Sequence, residues 1–456
     1  MKRSNWAHLG VAGLIIMMSG ATAQAQKDPI SILPPAPPVE APKLPVEPVA
    51  VPPVVMPETP PVVAPHWTVR DAAALLTFIN SVSTLGLIPA DYEPAALAPA
   101  IVAGEGPVLD EIAGKLFTRV ATDLRDGRTP AWARAQWLIK DSDAKTTPIL
   151  PLMQSGLTAR DVAGALSSLE PAHPDYAALK AVLAATPPAN VARIKQIRAN
   201  LDRWRWMPQT LGFKHILANV PEYMARLMVN GKLISAHRVI VGKLDTPTPQ
   251  VSADAVGVVI HPPWFLPQSI ITESVGALIA KSPAVARARG YTWTGSGKTL
   301  AVIQQAGPTS ALGFIKIDMP NSEAIFLHDT PNRSLFDTTV RAYSHGCLRT
   351  EDVMKLAIVL GVIQQGGTAD ELVTLIKAGK TTKVPFKETI PVYIGYFTIA
   401  SGADGKLQTF SDIYGRDAPI IASFDKPRGA PAPAPKVIMP VANTNTKAKT
   451  PAPLRR

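Results

Sequence analysis

Residues 342–352 read AYSHGCLRTED and contain Cys347, the only cysteine among 456 residues. A lone thiol is either a small apolar core residue or a nucleophile. As a nucleophile it must lose its proton, so it needs a base or a positive field nearby. The neighbours are of the right types. His345 lies two residues before the thiol, and His328 ends a predicted strand upstream in IFLHDTP. Gly346 permits a sharp backbone turn, which would bring peptide N–H groups to a reacting carbonyl as an oxyanion hole. Arg349 offers a planar fork for a carboxylate. The following segment, TEDVMKLAIVLG, predicts a helix capped by Thr350 with Glu351 and Asp352 in its first turn. A helix start beside the sulfur would lower its pKa. Each signal alone is ordinary. The cluster S-H-G-C-x-R from Ser344 to Arg349, with a strand-end histidine upstream, points to nucleophilic thiol chemistry. A thiol oxidoreductase would want a second cysteine, as in C-x-x-C, and none exists.

Two regions must position these residues. Residues 67–190 are rich in Ala and Leu at helical spacing. TVRDAAALLTFINSVSTLG places Val69, Ala73, Leu76 and Ile79-Asn80 near one face. VLDEIAGKLFTRVATDLRDG predicts a second helix stopped by Gly127, and HPDYAALKAVLAA a third. This region reads as all-α. From 191 to 420 the texture becomes mostly β. RIKQIRANLDRWRWM leads in as a helix. EYMARLMVNGKLISAHRVIVG is a hairpin turning at Asn230-Gly231. AVGVVIHPP, LGFIKIDMP, EAIFLHDT and TIPVYIGYFTIASGADGKLQTF supply further strands. A helical-looking insertion, about 264–306, interrupts the strands and is placed to cap a site. The expected fold class is therefore α+β multidomain: a helical region, then a β-sandwich with a capping insertion.

The ends differ in kind. Residues 1–25 run from Lys2 and Arg3 through an apolar stretch to small residues at Ala21, Ala23 and Ala25, the order of a secretory signal peptide. The apolar stretch is shorter than the ~20 residues a bilayer span needs, so membrane contact is expected at most through an uncleaved leader. Residues 26–66 are a Pro-rich linker, reaching on the order of 100 Å if extended. Residues 421–456 read as a disordered tail. The expected location is outside the cytoplasm. The net charge is +11 with pI about 9.6. The cationic residues are scattered without a long basic run, so solubility accounts for the charge and nucleic acid is not an expected partner.

At HDTPNRSLFDTTVRAYSHGCLR the chain resembles the L,D-transpeptidases with a YkuD-type catalytic domain. NLDRWRWMP, RVIVGKLDTPTPQ, PPWFLPQSI and QQAGPTSALGFIKIDMPN resemble the YcbB-like subgroup. STLGLIPADY and DLRDGR resemble its helical scaffold domain, so the likeness covers roughly residues 67–420. The resemblance implies Cys347 as nucleophile and His328 as general base. His345, Gly346 and the Cys347 N–H would shape the thiol and the oxyanion hole. Arg349, Ser344, Trp264 and Phe326 would meet substrate. The implied reaction attacks the third residue of a peptidoglycan tetrapeptide stem, releases D-alanine, and passes the thioester to a neighbouring stem amine as a 3→3 cross-link. No metal or organic cofactor is needed. Attachment of an outer-membrane protein to peptidoglycan, and hydrolysis, remain alternative uses of the same site. A wall-binding protein without activity fits the intact Cys347, His328 and Arg349 poorly. Three departures stand out. No separate peptidoglycan-binding module fits between scaffold and catalytic domain. Phe326 stands where the subgroup often has Tyr, and His261 where Asn is common.

Overall fold

A computed structural model describes residues 65–429 apart from 365–367 and 403. The leader, almost all of the Pro-rich linker and the tail beyond 429 lie outside the described residues. The three predicted helices stand at Val69–Ser81, Pro107–Asp126 and Pro174–Ala185. Thr68 caps the first by accepting from the Asp71 N–H. Gly127 ends the second at φ +80°, where a Cβ would collide with the Trp206 ring. The stripe buried by the first helix is Ala72, Leu75, Phe78 and Ile79, whereas Val69, Ala73 and Asn80 are exposed. The expected face is thus rotated by about one residue, because Leu75 and Phe78 bury more apolar area than the alanines. The region has one departure from helix. Trp137–Leu138 pairs in parallel with Gln250 and Val251 and joins the sheet of the following domain.

The sheet of that domain runs through eight strands: β1 Lys214–Asn219, β2 Met224–Val229, β3 Lys232–Gly242, β4 Gln250–Ile260, β5 Ile315–Asp318, β6 Leu327–His328, β7 Leu348–Thr350 and β8 Thr382–Gly395, with Ala342–Ser344 pairing in parallel with β3 off this path. The hairpin β2–β3 turns where predicted, with Asn230 and Gly231 both at positive φ. Spatial order is β4-β8-β1-β2-β3-β7-β6-β5, and β5 pairs antiparallel with β4 again. The two faces of the sandwich are therefore one sheet that closes on itself, leaving few open edges. Its core includes Ile216, Leu227, Val258, Ile317, Leu327, Leu348 and Leu356. The insertion holds both strand and helix. Trp264–Phe265, Ala301–Gln304 and Tyr291–Thr294 form a small sheet, with helical turns from Gln268–Ile270 to Pro283–Ala288 between them. It has its own core of Leu266, Ile271, Val275, Ile279 and Val302.

The helix Val191–Arg205 joins the two regions by polar burial. Asn200 accepts from the Thr398 N–H at 2.9 Å, and Arg203 Nη1 meets Asp417 at 2.5 Å. Asp202 is 0% exposed and accepts from the backbone N–H groups of Arg128 and Thr129 at 3.0 and 2.8 Å. Arg205 and the Trp206 indole N–H complete its shell, each at 3.2 Å. Residues 421–424, expected as part of a disordered tail, are folded instead. Asp417–Phe424 is a helix whose Ile420 and Phe424 bury against Ala199 and Trp206, and Arg128 donates to the Ser423 carbonyl. Spacing of four residues gives this short helix an apolar face that a compositional reading misses.

Removing Asp202 would strand Arg205 and two backbone donors in the interior. Asp202→Ala is expected to lower unfolding free energy by about 3–5 kcal/mol, read by chemical denaturation. A loss under about 1 kcal/mol would contradict the role given to this buried shell.

Candidate active site

Strands β6 and β7 run parallel, with Leu327 opposite Leu348 and His328 opposite Arg349. Side chains alternate along a strand. Leu327 and Leu348, both 0% exposed, fill the barrel core. The same alternation turns the residues on either side of each leucine, Phe326 and His328 around Leu327 and Cys347 and Arg349 around Leu348, to the other face. These four line a cavity of about 300 Å³. Trp264, Ile270 and Ser269 of the insertion close it on one side, and Ser344 and His345 lie in its wall. Every residue expected at the site lines this cavity except Gly346. Gly346 instead holds the backbone at φ +116°, a region that favours glycine.

The His328 ring places Nδ1 2.5 Å from the Asp329 carbonyl oxygen. A carbonyl only accepts, so Nδ1 carries the proton and Nε2 keeps its lone pair. Burial first, then the charges of Arg349 and Lys316, push the His328 pKa down to about 3. Burial pushes the Cys347 thiol up to about 11, against lowering by the Phe326 backbone N–H, Lys316 and Arg349. The resting pair is therefore a neutral imidazole and a protonated thiol. The thiol points at the Ala324 carbonyl, 3.6 Å away.

That state corrects one expectation. The helix after the thiol spans Val353–Ile363 with Asp352 as N-cap, and Thr350 belongs to β7, paired with Val239. Glu351 pairs with Arg238, with 2.6 Å from Nε, instead of lying in a first turn. Strand β3 offers an open ladder beside residues 349–350, so the chain stays extended past the point where composition predicts a helix. The sulfur sits at a strand start, and burial outweighs any helix field. The oxyanion expectation also narrows. The Gly346 N–H is already donated to Ser344 Oγ at 3.1 Å. Among the described residues none accepts from the Cys347 N–H.

Comparison with known families sets this cavity within a matched domain. Residues 214–384 match the L,D-transpeptidase catalytic domain, YkuD, and residues 63–183 match the scaffold domain. The chain carries a YkuD L,D-transpeptidase catalytic domain. A Haemophilus influenzae protein named "Putative L,D-transpeptidase" is 33% identical over 242 residues, which cover 50% of this chain and 49% of that protein. The chain thus spans about half the length of this curated relative. Among solved structures, an L,D-transpeptidase from Mycobacterium smegmatis is 12% identical with a TM-score of 0.22, covering 40% of this chain and 58% of its own. L,D-transpeptidase 3 from Mycobacterium tuberculosis is 11% identical with a TM-score of 0.22, covering 40% and 61%.

Within the transpeptidase domain, Arg349 has no carboxylate within 4 Å among the described residues. Its half-buried guanidinium faces a cavity with room for one. Phe326 meets the His328 ring edge-on at 5.4 Å, and its face carries the Lys316 ammonium at 4.5 Å. The His345 ring is held by the insertion. Its Nε2 lies 2.7 Å from Glu273 of the insertion, which Lys243 also approaches at 3.1 Å. His261, at φ +47°, is occupied structurally, with Nε2 2.6 Å from the Ile376 carbonyl. Lys316 and Glu273 went unread in the sequence. The signal for Lys316 exists only in register: β5 pairs it with His328.

The thiol's raised pKa has a direct consequence. Alkylation by iodoacetamide requires thiolate, so its rate should rise about tenfold per pH unit from pH 6 to 9, with no plateau. A rate that levels off near pH 7 would show a stabilised thiolate and contradict the neutral resting pair.

Proposed function

We propose that the chain is a peptidoglycan L,D-transpeptidase acting in the periplasm. What supports the reading is one observation above the rest: a half-buried thiol, a neutral imidazole of fixed tautomer and a guanidinium with no ion-pair partner among the described residues line one cavity of a YkuD domain. The order of basic, apolar and small residues in 1–25 supports the location.

In this reading the terminal carboxylate of the donor stem pairs with Arg349, which brings the carbonyl of the third residue to the sulfur. Cys347 Sγ bonds to that carbon while its proton passes to His328 Nε2. The carbonyl oxygen becomes an oxyanion and receives the Cys347 N–H. Its negative charge offsets the cations that, after burial, keep His328 neutral at rest. The C–N bond to D-alanine then breaks, and His328 returns its proton to the leaving amine. A thioester remains. The acceptor amine repeats the sequence in reverse, losing a proton to His328 as it attacks, and the thiol re-forms. A stem amine as acceptor gives the 3→3 cross-link. A protein amine or water would give a conjugate or a tripeptide, and product masses tell these apart.

Two variants test the reading. Cys347→Ser should abolish the thioester adduct seen by intact-protein mass spectrometry with a tetrapeptide stem; an adduct that persists would overturn it. Arg349→Lys keeps the charge but loses the planar fork, and should lower kcat/KM for stem peptides by about 1–3 kcal/mol. Alkylation of Cys347 by a small neutral reagent should change little. A parallel fall in both rates would assign Arg349 to the loop and remove its substrate role.

A further inference from the structure

Residues 245–250, DTPTPQ, lie within one of the stretches that carry the family resemblance, yet no step above uses them. They connect β3 to β4 and run beneath the nucleophile loop. Thr248 is 0% exposed. Its hydroxyl donates to the Gly346 carbonyl at 2.8 Å and accepts from the Gly242 N–H at 2.9 Å. Thr246 Oγ1 donates to the Ser344 carbonyl at 3.2 Å, and the Lys243 N–H reaches the same oxygen at 2.9 Å. Ser344 Oγ donates to the Cys347 carbonyl at 2.6 Å. The carbonyls at 344, 346 and 347 are thus all held by donors of the fold.

The strap is itself stiff. Pro247 and Pro249 fix their own φ and disfavour helical backbone at Thr246 and Thr248. Tyr414 Oη donates to the Gly242 carbonyl at 2.6 Å and accepts from the Thr248 N–H at 3.3 Å. Arg416 Nη2 donates to the Thr248 carbonyl at 3.0 Å and also meets Gln136 of the helical region.

A trans peptide points its C=O and the following N–H in opposite directions. Holding the Gly346 oxygen on Thr248 therefore turns the Cys347 N–H away from the strap, and Gly346 at φ +116° lets the plane adopt that setting. We propose that Thr248 is a positioning residue for the oxyanion hole: its hydroxyl, by holding the Gly346 carbonyl, aims the Cys347 N–H at the carbonyl oxygen of the acyl donor. This rests on the acyl-transfer reading above and extends it to the threonine–proline strap. Thr248 touches neither substrate nor sulfur in this scheme.

The test compares two reactions of the same thiol. Acylation by a tetrapeptide stem passes through an oxyanion; alkylation by iodoacetamide does not. Thr248→Val keeps the shape and removes the hydroxyl. It should lower kcat/KM for acylation at least tenfold, approaching the roughly 10²–10³-fold scale of a lost oxyanion donor. Alkylation at the same pH should stay within about twofold of wild type. Thr248→Ser should restore acylation to within a few-fold. Acylation unchanged in Thr248→Val, or both reactions falling together, overturns the proposal while the transpeptidase reading stands. If Thr248→Val does not fold, Tyr414→Phe decides, since it loosens the Thr248 backbone and keeps its hydroxyl. A several-fold loss confined to acylation supports the proposal, and a wild-type acylation rate overturns it. A wild-type chain that forms no acyl adduct overturns the function reading and this inference with it.

Discussion

The pairing of Leu327 with Leu348 across two parallel strands governs where the chemistry sits. Both leucines must leave water, each worth about 2 kcal/mol of burial, and the closed barrel has one interior to receive them. Strand geometry then has no freedom over their neighbours. Phe326, His328, Cys347 and Arg349 share the opposite face. A slip of one residue would exchange the two sets, placing an imidazole and a guanidinium in the core and leucines in the cavity. The hydrophobic core therefore specifies the register, and the register assembles the site. The remaining devices act on that arrangement: the insertion covers it, Asp329 sets the histidine tautomer, and the threonine–proline strap holds the nucleophile loop from behind.

Burial also sets the electrostatics. A thiol pushed up to about 11 beside an imidazole pushed down to about 3 is not an ion pair waiting for substrate. Arg349 and Lys316 both oppose a proton on His328 and both favour a negative charge nearby. Such a cavity attracts an anion, and it becomes hospitable to imidazolium only when negative charge develops next to it. The proposed carboxylate-bearing donor, whose carbonyl oxygen turns into an oxyanion, would supply both. The cations thus discriminate between the resting state and the reacting one, which is what differential stabilisation requires.

The order of a helical region followed by a mostly-β domain was legible from local patterns, whereas closure of the sheet on itself was not. Apolar spacing marks the helices, Asn230-Gly231 marks the hairpin, and runs of β-forming residues mark the strands. The cluster from Ser344 to Arg349 and the upstream His328 pointed to one cavity, because residue types and short spacing carry that signal. What escaped depends on contacts between distant segments. Thr350 reads as a helix cap until β3 is known to offer it a ladder. The thiol reads as activated until its burial is known. Lys316 is an ordinary strand lysine until β5 lies against β6. Phe424 reads as tail until Arg128, far away in sequence, covers its ring. Thr248 belongs to a recognisable motif, but its partner oxygen on Gly346 is almost a hundred residues away in sequence.

The most direct test of the central claim is product analysis. Purified protein would be incubated with a disaccharide tetrapeptide, and the products sequenced by tandem mass spectrometry. The predicted result is release of D-alanine and a dimer joined through the third residues of both stems. A dimer whose donor keeps its fourth residue, or substrate recovered intact, would contradict the assignment of Cys347, His328 and Arg349 to this acyl transfer.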